Sequence, residues 1–122
     1  MVKIPKADRR PKKLAARFYE TAGGVEPVRE WLKALASSDR KIIGEDIATL
    51  EFGWPIGMPV CRPLGDGLFE VRSTLTGNRI ARVLFCTAKG QLVLLHGFEK
   101  KTQKTPAGDL VLAKKRKKEI EV

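Results

Sequence analysis

Cysteine, histidine and tyrosine are scarce in this chain of 122 residues, and acidic side chains are few beside basic ones. Its two cysteines, Cys61 and Cys86, stand apart without CxxC spacing. That argues against a zinc site and against a disulfide framework, and makes a reducing cytoplasm the expected compartment. His96 and Tyr19 are the sole residues of their types. No stretch approaches transmembrane length, so no membrane partner is expected. The basic residues near the start are not followed by an apolar run, which excludes the pattern of a secretory signal there. No internal repeat is visible.

What the chain has in excess is positive charge. Lys and Arg number 24 against 14 Asp and Glu, a formal charge of +10 and a pI near 10.0. Such a surface favours polyanions through counterion release and electrostatic steering, although charge alone does not separate RNA, DNA and acidic membrane. The length suits one domain. Residues 1–13 combine two prolines with scattered cations and almost nothing apolar, the composition of a flexible basic arm. Residues 14–122 then form a single domain.

Along the chain the period of the apolar residues changes. Leu14 to Glu20 alternates as a half-buried strand does. Pro27 suits a first helical turn, and Val28, Trp31, Leu32 and Leu35 fall on one helical stripe. Ser37, Ser38 and Asp39 offer capping oxygens to a second helix carrying Ile43, Ile47 and Leu50 and ended by Gly53 in a left-handed conformation. Trp54 to Pro63 holds three prolines and Gly57, so a crossing loop is expected, with Trp54, Ile56 and Met58 over apolar surface. Leu68 to Leu75, Arg79 to Thr87 and Gln91 to Phe98 read as a three-stranded antiparallel meander with short Gly-containing turns. Asp109 to Glu121 reads as a helix with a thin apolar stripe of Leu110, Ala113 and Ile120 among lysines. The expectation is an α+β domain: an antiparallel sheet with two N-terminal helices on one face, a marginally docked C-terminal helix, and the other face open.

Strand parity then selects the candidate residues. Glu70 and Arg72 share a side, and Arg82 interrupts an otherwise apolar strand, where a cation needs an anionic partner. Strict alternation in the last strand groups Leu92, Leu94, His96, Phe98 and Lys100. Aligned strands would bring Arg72, Arg82, His96 and Lys100 together, a set able to handle phosphate. Each has a plainer alternative: an ion pair of Arg72 with Glu70, Glu99 or Asp66, a structural Arg82, a hydrogen-bonded core His96, and solvated loop lysines at 100, 101 and 104. The terminal Lys/Arg run reads as a solvated face.

GLFEVR at Gly67 to Arg72, RIARVLF at Arg79 to Phe85 and LLHGFEKKTQKTP at Leu94 to Pro106, followed by a helix, together resemble the phage-related HigB/RelE-like toxins of type II toxin–antitoxin modules. The resemblance spans roughly Leu14 to Glu121. It implies a small RelE-like microbial ribonuclease fold and a metal-independent endoribonuclease that uses no cofactor. It further implies cleavage of messenger RNA in the ribosomal A site, by attack of a ribose 2′-hydroxyl on the adjacent phosphate. The implied partners are translated mRNA and a helix-turn-helix antitoxin, with DNA reached only through the antitoxin complex. By motif match, Arg72 and Arg82 go to the scissile phosphate and Lys100 and Lys101 to RNA or the acid role; Arg79, Lys101 and Lys104 are candidates for RNA binding. His96 is the candidate proton acceptor. Relatives often place a Tyr or a second His near the last strands, and this chain does not. The acceptor is then His96 or, with His96 an inward core residue, a desolvated Lys or a ribosomal group; a noncatalytic RNA- or ribosome-binding protein, or an inactive toxin that still binds its antitoxin, is the alternative function.

Overall fold

The computed structural model describes residues 12–55, 60–100 and 106–120, with the side chain of residue 100 left out. Most of the expected basic arm lies outside that range, as do Ile56, Met58, Lys101 and Lys104. Eight elements follow in order: β1 (Ala15–Phe18), α1 (Pro27–Lys33), α2 (Ser37–Gly53), β2 (Cys61–Gly65), β3 (Leu68–Leu75), β4 (Arg79–Ala88), β5 (Gln91–Lys100) and α3 (Ala107–Ile120). The strands form one five-stranded sheet in the order β1-β5-β4-β3-β2.

The meander forms where hydrophobic alternation places it, with β3, β4 and β5 paired antiparallel. Two features depart from expectation. β1 pairs parallel with β5, from Ala15 opposite Gln91 to Phe18 opposite Leu94, so the sheet is mixed rather than antiparallel. A four-residue strand carries no signal for its own direction, and it joins the edge that the meander leaves open. Cys61–Gly65, the end of the expected loop, is a strand on the opposite edge. Pro63 is tolerated there because an edge strand has backbone positions with no ladder bond to donate, and a register shift falls between Pro63 and Gly65.

Both sheet faces are covered. On one, Val28, Ile43, Ile47 and Leu50 of α1 and α2 pack with Val71, Val83, Phe85, Leu92 and Leu94. Trp54 meets Phe69 and Phe85 edge-on at 5.0 and 5.6 Å, as expected of an aromatic crossing the core. Gly97 is bare because Trp31 lies on it: an added Cβ would stand 2.4 Å from the indole. α2 begins after Ala36 without a side-chain cap, and Asp39 turns its carboxylate to Arg79 instead of to the helix amides. The helix ends not at a left-handed Gly53 but at Trp54, whose extended backbone leads into Pro55. Near this end Glu51 accepts from the Ala16 amide at 2.7 Å and from Lys12 Nζ at 3.1 Å, which fastens β1 to α2.

The second face, expected to be open, carries α3 over Leu68, Leu84, Cys86, Val93 and Leu95. Its stripe is as thin as the sequence implies, with Ala113 its one buried residue among those described. Polar contacts supplement it. Arg116 donates to the Leu95 carbonyl at 2.7 Å, Tyr19 donates to Glu119, and Lys114 pairs with Asp66 at 3.1 Å.

Candidate active site

A bulge in β5 decides what α3 meets. Leu84 pairs with His96 and Phe85 with Leu94, so Leu95 is an extra residue. Parity reverses there. Leu92 and Leu94 face α1 and α2, whereas His96, opposite Leu84, faces α3. The single side expected for Leu92, Leu94, His96 and Phe98 therefore does not exist. The reversal nevertheless puts His96 on the face that bears Arg72 and Arg82.

Register orders that face in rows. Arg72, Arg82 and Phe98 are opposite one another on β3, β4 and β5, and the next row is Glu70, Leu84 and His96. Arg62 of β2 lies opposite Glu70. Lys100 is opposite Ile80, one step beyond the arginine row.

The arginines differ sharply in environment. Arg82 is fully buried and donates from Nη1 to Glu70 Oε1 at 2.8 Å, with Glu70 equally buried. This is the anionic partner that a mid-strand Arg requires. Glu70 was a candidate partner for Arg72 and serves Arg82 instead, with Arg62 Nε also 3.5 Å from its second oxygen. Arg72 is part-exposed, and among the described residues no carboxylate pairs with it. The other proposed partners are engaged elsewhere, Glu99 with Arg79 and Asp66 with Lys114. Its Nε is buried with no hydrogen-bond partner among those residues. Burial of an unsatisfied charged donor is costly, so Arg72 has a reason to accept an anion.

His96 stands against the first turn of α3. Its Nε2 lies 2.5 Å from Asp109 Oδ1, and its ring stacks on Phe98 at 5.4 Å between centroids. With Asp109 ionised, Nε2 donates and the lone pair of a neutral imidazole sits on Nδ1. A carboxylate so placed fixes the orientation of the ring. That is the arrangement of a proton acceptor with its orienting group.

Arg79 is not part of this cluster. It lies across the sheet, opposite Leu75, and grips Asp39 through two bonds of 3.0 Å and Glu99 through one of 2.9 Å. The Asp39 hydrogen bond chiefly raises its pKa further above the ordinary guanidinium value. Arg79 thereby ties the start of α2 to the sheet.

Tyr19 is buried under the far end of α3, with the Arg116 guanidinium 5.4 Å from its ring centre. The hydrogen bond to Glu119 and then burial push its hydroxyl pKa upward. Cys61 is buried too, and its thiol is pushed up to about 11 by burial and then by the charge of Glu70. Neither group is poised as a base or nucleophile near neutral pH. A cleft of about 320 Å³ beside Tyr19 and another of about 460 Å³ between Asp66 and Lys117 flank α3, and neither is lined by Arg72 or His96. Among the described residues no three His, Cys, Asp or Glu side chains gather as metal ligands would, and no helix is long and apolar enough to cross a membrane.

Arg62, Asp109 and Glu119 escape sequence reasoning. Arg62 sits in a segment whose prolines suggest loop, and Asp109 and Glu119 meet their partners only through the docking of α3. The sequence signal for Asp109 was its place beside a helix start, which does not say what it faces.

The family model described as phage-derived protein Gp49-like (DUF891) matches residues 30–118, from within α1 to near the end of α3. No curated protein matches the chain.

Proposed function

Because the chain belongs to the Gp49-like family of phage-derived proteins, a family of RelE/toxin-like proteins, we propose that it is the toxin of a type II toxin–antitoxin module. It acts in the cytoplasm as a metal-independent endoribonuclease on mRNA in the ribosomal A site, and a helix-turn-helix antitoxin neutralises it. The observation that carries the reading is the solvent-reaching Arg72, unmatched by any carboxylate among the described residues, on the same sheet face as the His96–Asp109 pair.

In the proposed reaction the 2′-oxygen of a ribose forms a bond to the adjacent phosphorus as the bond to the 5′-oxygen breaks. The products are a 2′,3′-cyclic phosphate and a free 5′-hydroxyl. His96, oriented by Asp109, takes the 2′-hydroxyl proton at Nδ1. Arg72 stabilises the charge growing on the phosphoryl oxygens. Lys100 or Lys101 supplies the proton to the leaving oxygen, and Lys104 follows the RNA strand. Arg82, locked to Glu70, acts by holding the sheet beneath Arg72.

Induced expression should arrest growth, and primer extension on a translated message should show new 5′ ends. Arg72→Ala should relieve the arrest while the protein accumulates normally. No arrest and no new ends from a soluble, intact chain would refute the reading. Burial of Arg82 favours a second reading, because it leaves one fewer cation for a phosphorane than the motif implies. On that reading the chain binds ribosomes, or its antitoxin, without cutting.

A further inference from the structure

Arg62 has no assigned role, yet its surroundings are built for an anion. It projects from β2 opposite Glu70, and Arg72 follows Glu70 by two residues on β3. The Arg72 amide donates to the Val60 carbonyl at 2.9 Å, so the edge pairing continues past Arg62 and fixes the two arginines as diagonal neighbours on one sheet face. Such neighbours stand roughly 7–8 Å apart at Cα, within reach of a shared ligand for side chains as long as arginine. Like charges so placed repel. Glu70 lies between them, but its Oε1 is held at 2.8 Å by Arg82, and its other oxygen is 3.5 Å from Arg62, beyond close contact. Two guanidiniums, Arg82 and Arg62, therefore share this carboxylate, and no carboxylate among the described residues pairs with Arg72. Arg82 is buried, whereas Arg62 is about a third exposed and Arg72 is part-exposed.

We propose that Arg62 and Arg72 form a two-guanidinium seat for one phosphate group of a nucleic-acid backbone. The nature of the ligand rests on the RNA-cleaving function proposed above; the seat itself rests on the charge arrangement. Phosphate suits it because planar guanidinium forks bind its oxygens in pairs, and a dianion or phosphodiester relieves the repulsion between the two arms. Arg82 and Glu70 form the rigid floor. Arg62 thus becomes a second phosphate contact that places the strand across Arg72.

The test is thermal unfolding of the full chain in sodium phosphate against sodium chloride at matched ionic strength. Phosphate tenfold above its Kd should raise Tm by roughly 5 °C. The rise should vanish in Arg62→Ala and in Arg72→Ala and persist in a Lys115→Ala/Lys118→Ala variant, which removes exposed helix charge only. Where Arg62→Ala fails to fold, Arg62→Gln keeps a donor for Glu70 without the charge and should also lose the rise. A short 2′-deoxy oligonucleotide, which cannot undergo 2′-hydroxyl attack, should compete with phosphate. The seat is refuted if wild type shows no phosphate-specific rise, if the rise survives loss of Arg62, if it depends on the helix lysines, or if the oligonucleotide does not compete. Failure of the nuclease reading looks different: a chain that cuts no message but shows the Arg62-dependent rise retains the seat. An active nuclease without that rise loses only the seat.

Discussion

Arg72 and Arg82 face each other across two strands, and replacing them with alanine should have opposite consequences. Arg82 is fully buried against an equally buried Glu70 at 2.8 Å, so Arg82→Ala takes from a buried carboxylate its 2.8 Å partner and leaves the part-exposed Arg62 at 3.5 Å. Breaking a buried pair from one side costs about 3–5 kcal/mol, a large share of the 5–15 kcal/mol typical of a whole domain. In urea, with a slope of about 2 kcal/mol per molar, the midpoint should fall by roughly 2 M. Arg72→Ala removes a guanidinium with no carboxylate partner among the described residues and relieves repulsion with its neighbours, so stability should change by less than about 1 kcal/mol. The double substitution Glu70→Leu/Arg82→Met should recover most of the Arg82→Ala loss, because apolar side chains need no pairing and Arg62 can turn to water. Equilibrium urea unfolding followed by tryptophan fluorescence measures all four proteins. Equal midpoints for wild type and Arg82→Ala, or a fall of similar size in Arg72→Ala, would show that the charge network is not organised as described. The comparison also disciplines any toxicity assay, since Arg82→Ala would abolish arrest by unfolding, whereas Arg72→Ala would do so in a folded protein.

Two further perturbations test the opposite face. Gly97→Ala places a methyl within 2.4–3.0 Å of the Trp31 indole and should cost about 1–3 kcal/mol, read as a lowered urea midpoint; combined with Trp31→Leu, the loss should be well below the sum of the two single changes. Asp46 is buried on α2, where desolvation, partly offset by a Ser73 hydrogen bond, raises its pKa above the ordinary 3.8. A raised folded-state pKa contributes stability that is whole below the unfolded value and is lost as pH rises through the folded one. Asp46→Asn should therefore stabilise the protein at pH 7 and lose that advantage below about pH 3.8, and midpoints that do not diverge between the two pH values would contradict the assignment.

How much of this was legible in the chain depends on the range of the interaction concerned. The meander from Leu68 to Phe98 and the helices after Pro27 and Ser37 follow from local periodicity and turn residues, and they formed where expected. Parity likewise put Glu70 and Arg72 on one side of β3, and the register of β4 then set Arg82 beside Arg72. β2 was hidden because Pro63 weighs against a strand unless the strand is known to be an edge. The direction of β1 was hidden because four residues do not encode it. In β5, alternation failed at Leu95, since a bulge is a relation between two strands and leaves no mark in one.

By itself the sequence determined the class of the domain, its cationic surface, the strands that carry Arg72 and Arg82, and the thinness of the last helix, because each follows from neighbouring side chains and their spacing. Tertiary structure alone decided which arginine is buried with Glu70 and which reaches solvent, that His96 meets Asp109, that Arg79 belongs to the other face, and that α3 covers a face expected to be open. Register, bulge and helix docking set these outcomes. They join residues up to 100 positions apart, as Tyr19 and Glu119 are, and no local pattern records such a pairing.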